Sequence, residues 1–234
     1  MNNRRKKVPF DPYFFGEREK EGLVLSTREI FREIFETNHW SGPESVSGEG
    51  ASLEQVRVVM EKLPRLLEML RVEVLLDLPC GDFGWMRHVD LSGIRYIGAD
   101  IVPELIEANN NAYANPERTF VELDLMMDPL PEADLLLCRD GLVHLSLDDV
   151  GRAILNIRRS GIAYLLATTF PDCEYNEDIT TGDWRPLNLC EAPFYFPKPL
   201  LLINEGCTEG GGAFADKSLG LWRTIDLPRP VRPG

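Results

Sequence analysis

The stretch Val74-Leu-Leu-Asp-Leu-Pro-Cys-Gly-Asp-Phe-Gly84 is an apolar run that ends in an acid, Asp77, and turns into a tight loop holding Gly81 and Gly84. An apolar run bounded by turn formers predicts a strand buried on both faces, and the glycines let the following backbone approach a ligand closely. Trp85-Met-Arg-His-Val89 is read as a short helix whose free N–H groups face that ligand. A second apolar run, Tyr96-Ile-Gly-Ala-Asp100, ends in a carboxylate 23 residues after Asp77. In a nucleotide-binding βαβ unit, an acid at the end of the second strand accepts hydrogen bonds from ribose hydroxyls, about 20 residues beyond the glycine loop. These two strand ends therefore point to a nucleoside site.

Outward from this unit the pattern of strand and helix continues. Upstream, Ser52-Leu-Glu-Gln55 has capping-box spacing and opens an apolar stripe through Leu70, which Pro64 should kink or divide. Strands are predicted at 72–77, 95–100, 119–124, 134–138 and 162–169, with helices at 103–112 and 146–159 between them. Such a succession predicts a parallel sheet whose ligands gather at the carboxyl ends of the strands. All five strand ends carry polar residues there: Asp77, Asp100, Asp124, Arg139 with Asp140, and Thr168 with Thr169. After Phe170 the regularity stops, and residues 171–199 form a long irregular insert rich in Asp, Asn, Pro and aromatics. Two last strands, at 200–203 and 219–225, are joined through Glu209-Gly-Gly-Gly212 and read as an edge hairpin.

The segment 77–84, with the acid at Asp100, resembles the first two motifs of the class I S-adenosylmethionine-dependent methyltransferases, and the resemblance runs in order from about Val72 to Phe170. That family writes its first motif acid-x-Gly-x-Gly-x-Gly. Here only Gly81 keeps register: Pro79 stands at the first glycine, and Gly84 is displaced from the third. The resemblance implies an α/β fold with a seven-stranded Rossmann-like sheet, mostly parallel with an antiparallel terminal hairpin, and helices on both faces. It also implies S-adenosyl-L-methionine as cofactor. Asp77 would orient the cofactor's amino group, Gly81 would approach its methionine part, and Pro79 and Trp85 would flank it. Asp100 would accept both ribose hydroxyls, and Ile101 would lie against the adenine. Asp124 would receive the adenine amino group beside Leu125, although Asp128 competes for that place. Arg139 would close the cofactor side.

Cys138-Arg-Asp-Gly-Leu-Val-His-Leu145 falls at the family's seam between cofactor and acceptor. Methyl transfer from a sulfonium needs in-line approach, so positioning dominates the catalytic problem. An oxygen or nitrogen acceptor also has a proton to lose. Asp140, through a raised carboxyl pKa, or His144 would take it; the alternatives are a turn former and a structural histidine. For the acceptor, the candidates are Trp40, Thr169, Trp184 and Arg185, because aromatic and Arg side chains together make pockets for small molecules.

Composition narrows the partners. Hydrophobic residues at 44% and charged residues at 27% are those of an ordinary soluble chain, and 234 residues suit one α/β domain. A net charge of −13 repels phosphates, which disfavours a nucleic acid substrate and leaves a small-molecule acceptor. Five cysteines, odd in number and without C-x-x-C spacing, read as reduced thiols of a cytoplasmic protein with no metal site. The basic start at residues 1–7 has no apolar core after it, so neither export nor a membrane span is expected. A homodimer is left open.

Residues 1–51 are expected to form an N-terminal arm and lid, ahead of a single domain at 52–234 with 171–199 as its substrate-side insert. Within the arm, residues 26–35 read as a short amphipathic helix, and the polar, glycine-rich stretch around Trp40 reads as a lid loop or pocket wall. Two other functions share the βαβ unit. A nicotinamide-dependent oxidoreductase is disfavoured by the absence of G-x-G-x-x-G and by the terminal hairpin; a non-catalytic cofactor-binding domain is kept open by Pro79.

Overall fold

The computed structural model describes residues 10–42 and 45–229. The basic start at 1–7 and positions 43 and 44 of the expected lid lie outside these residues.

Seven strands form one sheet: β1 (Val74–Asp77), β2 (Arg95–Asp100), β3 (Arg118–Glu122), β4 (Leu135–Cys138), β5 (Tyr164–Thr169), β6 (Leu201–Asn204) and β7 (Ser218–Arg223), in the order β3-β2-β1-β4-β5-β7-β6. The first five are parallel, and β7 runs antiparallel between β5 and β6. The mostly parallel sheet with a terminal antiparallel hairpin is thus the one expected. In a parallel register, Asp77 sits level with Gly98 and Leu137, so the ends of β1, β2 and β4 open on one rim of the sheet.

Strand alternation divides the core. Leu75, Leu137, Leu166, Leu219 and Leu221 face helix α3 (Arg57–Leu70), whose Val59, Leu63, Leu66 and Leu67 are buried. Helix α4 (Pro103–Tyr113) adds Ile106 to that layer. On the opposite face, Leu76, Leu136, Cys138, Leu165 and Ala167 pack on helix α5 (Leu147–Arg159) through Val150, Ala153, Ile154 and Ile157. The insert joins this second layer with Leu187, Leu189, Phe194 and Phe196. Each such side chain contributes about 1.5–3 kcal/mol through burial.

Several local expectations are corrected. No α-helix follows the glycine loop; there is one 3-10 turn, Met86–His88. The Asp82 carboxylate accepts the amides of Gly84 and Val46, a side-chain to backbone bond that competes with helix formation. Strand β3 stops at Glu122 rather than at 124, because the Asp124 carboxylate turns onto the amide of Met126. Ser52 opens no helix: residues 49–51 form a 3-10 turn, and α3 begins at Arg57 and runs through Pro64 as one element. At α5, Ser146 Oγ accepts the Asp149 amide, half of a capping box, while the Asp149 carboxylate accepts from Thr181.

Among the described residues, two N-terminal helices, α1 (Phe14–Lys20) and α2 (Thr27–Thr37), precede α3. The first begins where the Asp183 carboxylate accepts the amides of Phe15 and Gly16. The second has a full capping box between Ser26 and Glu29. Ion pairs Arg28–Glu122 and Arg32–Glu104 tie this second helix to β3 and α4.

Candidate active site

One cleft, with about 1100 Å³ of unfilled space including its mouth, opens at the carboxyl ends of β1, β2 and β4. Asp77, Pro79, Gly81, Trp85, Asp100, Ile101, Asp124, Leu125, Arg139, Asp140 and His144 all line it, together with Trp40. Asp77 and Asp100, which end β1 and β2, and Asp124, beyond the end of β3, therefore meet on a single cleft.

Asp77 is buried, and its Oδ2 accepts the Tyr96 hydroxyl at 2.7 Å. Burial pushes its carboxyl up to about 7, with the Tyr96 hydrogen bond opposing. Asp100 bridges the two signature segments: Oδ2 accepts the Gly81 amide and Oδ1 the Val102 amide, each at 3.1 Å. Burial raises it to about 6 against those two bonds. A carboxylate offers about four acceptor positions, so two amides leave capacity for hydroxyls. Asp124 is raised by burial, and its rival Asp128 instead accepts the Asp124 amide and is not on the cleft.

The glycine loop departs from its expected role at two points. Gly81 has φ +55°, and a Cβ there would meet Ser47 Oγ at 2.3 Å, so the close approach it permits is made by the chain's own Ser47. Gly84 does not line the cleft; its amide is held by Asp82. Asn109 fixes the loop from α4, donating to the Gly81 carbonyl at 2.7 Å.

Behind Arg139 and Asp140 lies a buried charge network. Arg139 makes a bidentate pair with Glu205 and donates to the Gly50 carbonyl. Its guanidinium also lies over the Trp85 ring at 5.7 Å. Lys217 Nζ sits 2.7 Å from Asp140 Oδ2, and Thr168 donates to Asp140 Oδ1. Burial works against the Asp140 charge, but Lys217 and then Arg139 outweigh it and hold the carboxyl well below the usual carboxylate range. The raised carboxyl expected for Asp140 as a base is thus corrected: two cations keep it ionised and weakly basic.

His144 is buried on a 3-10 turn, Leu142–His144. Its Nδ1 lies 3.0 Å from the Asp183 carbonyl, an acceptor only, so Nδ1 carries the proton and Nε2 is the basic nitrogen. Trp40 stacks on the ring at 4.3 Å. Burial lowers the imidazole to about 4, so it is neutral at neutral pH. Among the described residues, the buried indole N–H of Trp40 has no hydrogen-bond partner.

Three other candidates lie off the cleft. Thr169 accepts the Leu189 amide, and Trp184 packs edge-on to Phe170 and Phe214. Arg185 is buried and donates to the carbonyls of Leu142 and Leu145. Residues not singled out in the sequence also shape the site: Thr27, Phe31 and Phe35 of the second N-terminal helix and Met126 line the cleft. Tyr96, Glu205 and Lys217 hold its charged groups. The helix was legible from its apolar stripe; its place over the cleft was not.

Sheet order and cleft together define the class I methyltransferase fold, and the resemblance expected from the sequence is borne out. Residues 76–161 match a family model described as a methyltransferase domain. The human N-acetylserotonin methyltransferase, solved in complex with SAM, superposes with a TM-score of 0.56 at 17% identity, covering 88% of this chain and 61% of that one. The chain thus spans about three fifths of that protein. Magnesium protoporphyrin IX methyltransferase from Synechocystis PCC 6803 with bound SAM gives a TM-score of 0.48 at 18% identity over 66% of this chain and 81% of its own. The N-methyltransferase NodS from Bradyrhizobium japonicum WM9, in complex with S-adenosyl-l-homocysteine, gives 0.46 at 18% over 62% and 72%. A search of curated proteins by sequence returns no match. Among the described residues, no helix is long and apolar enough to cross a membrane, and no group of three or more His, Cys, Asp or Glu is arranged to hold a metal ion.

Proposed function

We propose that this chain transfers a methyl group from S-adenosylmethionine to an oxygen or nitrogen of a small-molecule or sugar-like acceptor. The observation that carries the reading is the meeting of Asp77, Asp100 and Asp124 on the same cleft as His144 and Trp40. The donor set fits an adenosyl cofactor. Asp100 retains acceptor capacity for ribose hydroxyls, Asp77 offers a carboxyl oxygen to an ammonium group whose charge would favour its ionised form, and Ile101 and Leu125 supply apolar surface for a base. Bound there, the cofactor supplies an electrophilic methyl on a sulfonium.

The chain's own part is to hold the acceptor and take its proton. Trp40 has an unpartnered N–H to donate to an acceptor oxygen, and His144 Nε2 is the acceptor for its proton. Asp140, held ionised by Lys217, orients rather than abstracts. The second N-terminal helix and Trp40 act as the lid that excludes water. Thr169, Trp184 and Arg185 reach an acceptor only through the segments they hold. Five unpaired thiols suit a reducing, cytoplasmic setting.

Calorimetric titration tests the reading: adenosylmethionine and adenosylhomocysteine should bind, and the nicotinamide dinucleotides should not. Affinity for a dinucleotide in place of adenosylmethionine would overturn it.

A further inference from the structure

The insert delivers nearly every polar group that the His144 turn receives. Arg185 Nη1 donates to the Leu142 carbonyl at 3.1 Å and Nη2 to the Leu145 carbonyl at 2.8 Å. Its own backbone amide donates to Val143 O, and the Gly182 amide to His144 O. Nε reaches the Glu177 carbonyl. Arg185 is buried at 3% exposure, yet every one of these side-chain bonds goes to a main-chain carbonyl and none to a carboxylate. A buried cation without a paired anion is costly, and an apolar side chain would fill the same space at less cost. A guanidinium, by contrast, presents donors in a rigid fork that reaches two carbonyls of one turn at once.

We propose that Arg185 is a positioning residue for His144: its fork pins the Leu142–Leu145 turn so that the imidazole keeps Nδ1 on the Asp183 carbonyl and Nε2 unprotonated toward the cleft. The same positive charge opposes protonation of the ring, as does that of Lys217, while Asp140 and the Asp183 carbonyl favour it. Burial lowers Arg185 to about 10 against the opposing charges of Asp178 and Glu177, so it stays charged. This assignment rests on the proposed methyl transfer only for its catalytic meaning; the geometry it describes is readable without turnover.

The test is nitrogen-15 NMR of histidine-labelled full chain, wild type against R185K and R185Q, with His39 and His88 as internal controls. In wild type, His144 should show a protonated Nδ1 and remain neutral to near pH 4. R185Q should mix the tautomers and move the His144 titration upward by about one pH unit or more, leaving the other two histidines in place. R185K keeps the charge but lacks the fork, so it should mix the tautomers with a smaller move. If R185Q does not fold, R185K alone decides: a wild-type tautomer in it overturns the proposal. Equal movement of all three histidines would mean general loosening and would also overturn it. Failure of adenosylmethionine to bind wild-type chain would instead remove the functional reading and leave this assignment standing.

Discussion

The indole of Trp40 lies on the imidazole of His144 with ring centroids 4.3 Å apart and planes 26° from parallel. One ring comes from the N-terminal segment and the other from the turn after β4. Removing the indole in W40A should expose the imidazole and ease its protonation. In wild type, His144 titrates near 4 when folded and near its ordinary 6.5 when unfolded, so the unfolded chain binds the proton first between those values. Stability carried by this group therefore falls as pH drops from about 6.5 to 4. Denaturant melts at pH 7 and 4.5 should show that loss shrinking in W40A by on the order of 1 kcal/mol; an unchanged pH slope would refute it.

Asp100 joins the glycine loop to β2 while lining the cleft. D100A should weaken adenosylmethionine binding at least about tenfold, the consequence of losing roughly 1.4 kcal/mol. Calorimetry reads it directly, and unchanged affinity would remove Asp100 from the cofactor site.

Asp77 gives the opposite pH sign to His144. Its folded carboxyl is raised to about 7, above its ordinary value, so the folded chain retains a proton that the unfolded chain has lost. Its contribution is fully present below about pH 4 and is lost as pH rises toward 7. D77N keeps a neutral partner for Tyr96 and should gain on wild type by on the order of a few kcal/mol between pH 4.5 and 7.5. Parallel melts that keep a constant gap across that range would count against a neutral Asp77.

Lys217 is the nearest cation to Asp140, and both belong to a network closed by Arg139 and Glu205. K217M leaves Asp140 with Arg139 alone and should destabilise the fold by about 3 kcal/mol. Because Lys217 and Arg139 depress Asp140, their help is present above the ordinary carboxylate value and is lost as pH falls below it. The acid-induced loss in wild type should be smaller in K217M, as measured by melts at pH 6 and 3.

Gly141 has no room for a side chain: a Cβ would come within 2.6 Å of Pro79 Cδ and 2.9 Å of Cys138 Sγ. G141A should cost about 1–3 kcal/mol through overpacking and move Pro79 in the cleft. A melting temperature equal to that of wild type would show that the loop yields freely.

Much of this molecule is local and therefore legible. Apolar runs with polar ends, such as 74–77 and 95–100, report strands buried in a parallel sheet, because burial on both faces leaves only the ends free to carry charge. The acids at those ends could be read as one site for the same reason. Where side chains compete with the backbone, the one-dimensional pattern misled: Asp82 and Asp124 each capture an amide and so end a helix or a strand early.

The amino-acid order by itself determined the sheet, its hairpin and the row of acids, since hydrophobic period and turn chemistry act between near neighbours. Only the tertiary structure decided that Arg185 and Asp183 serve His144, that Trp40 lies on its ring, and that Lys217 and Glu205 fix the charges of Asp140 and Arg139. Those contacts span from 39 to more than 100 positions. No periodicity links residues so far apart; their meeting depends on how the insert and the N-terminal helices pack on the finished sheet.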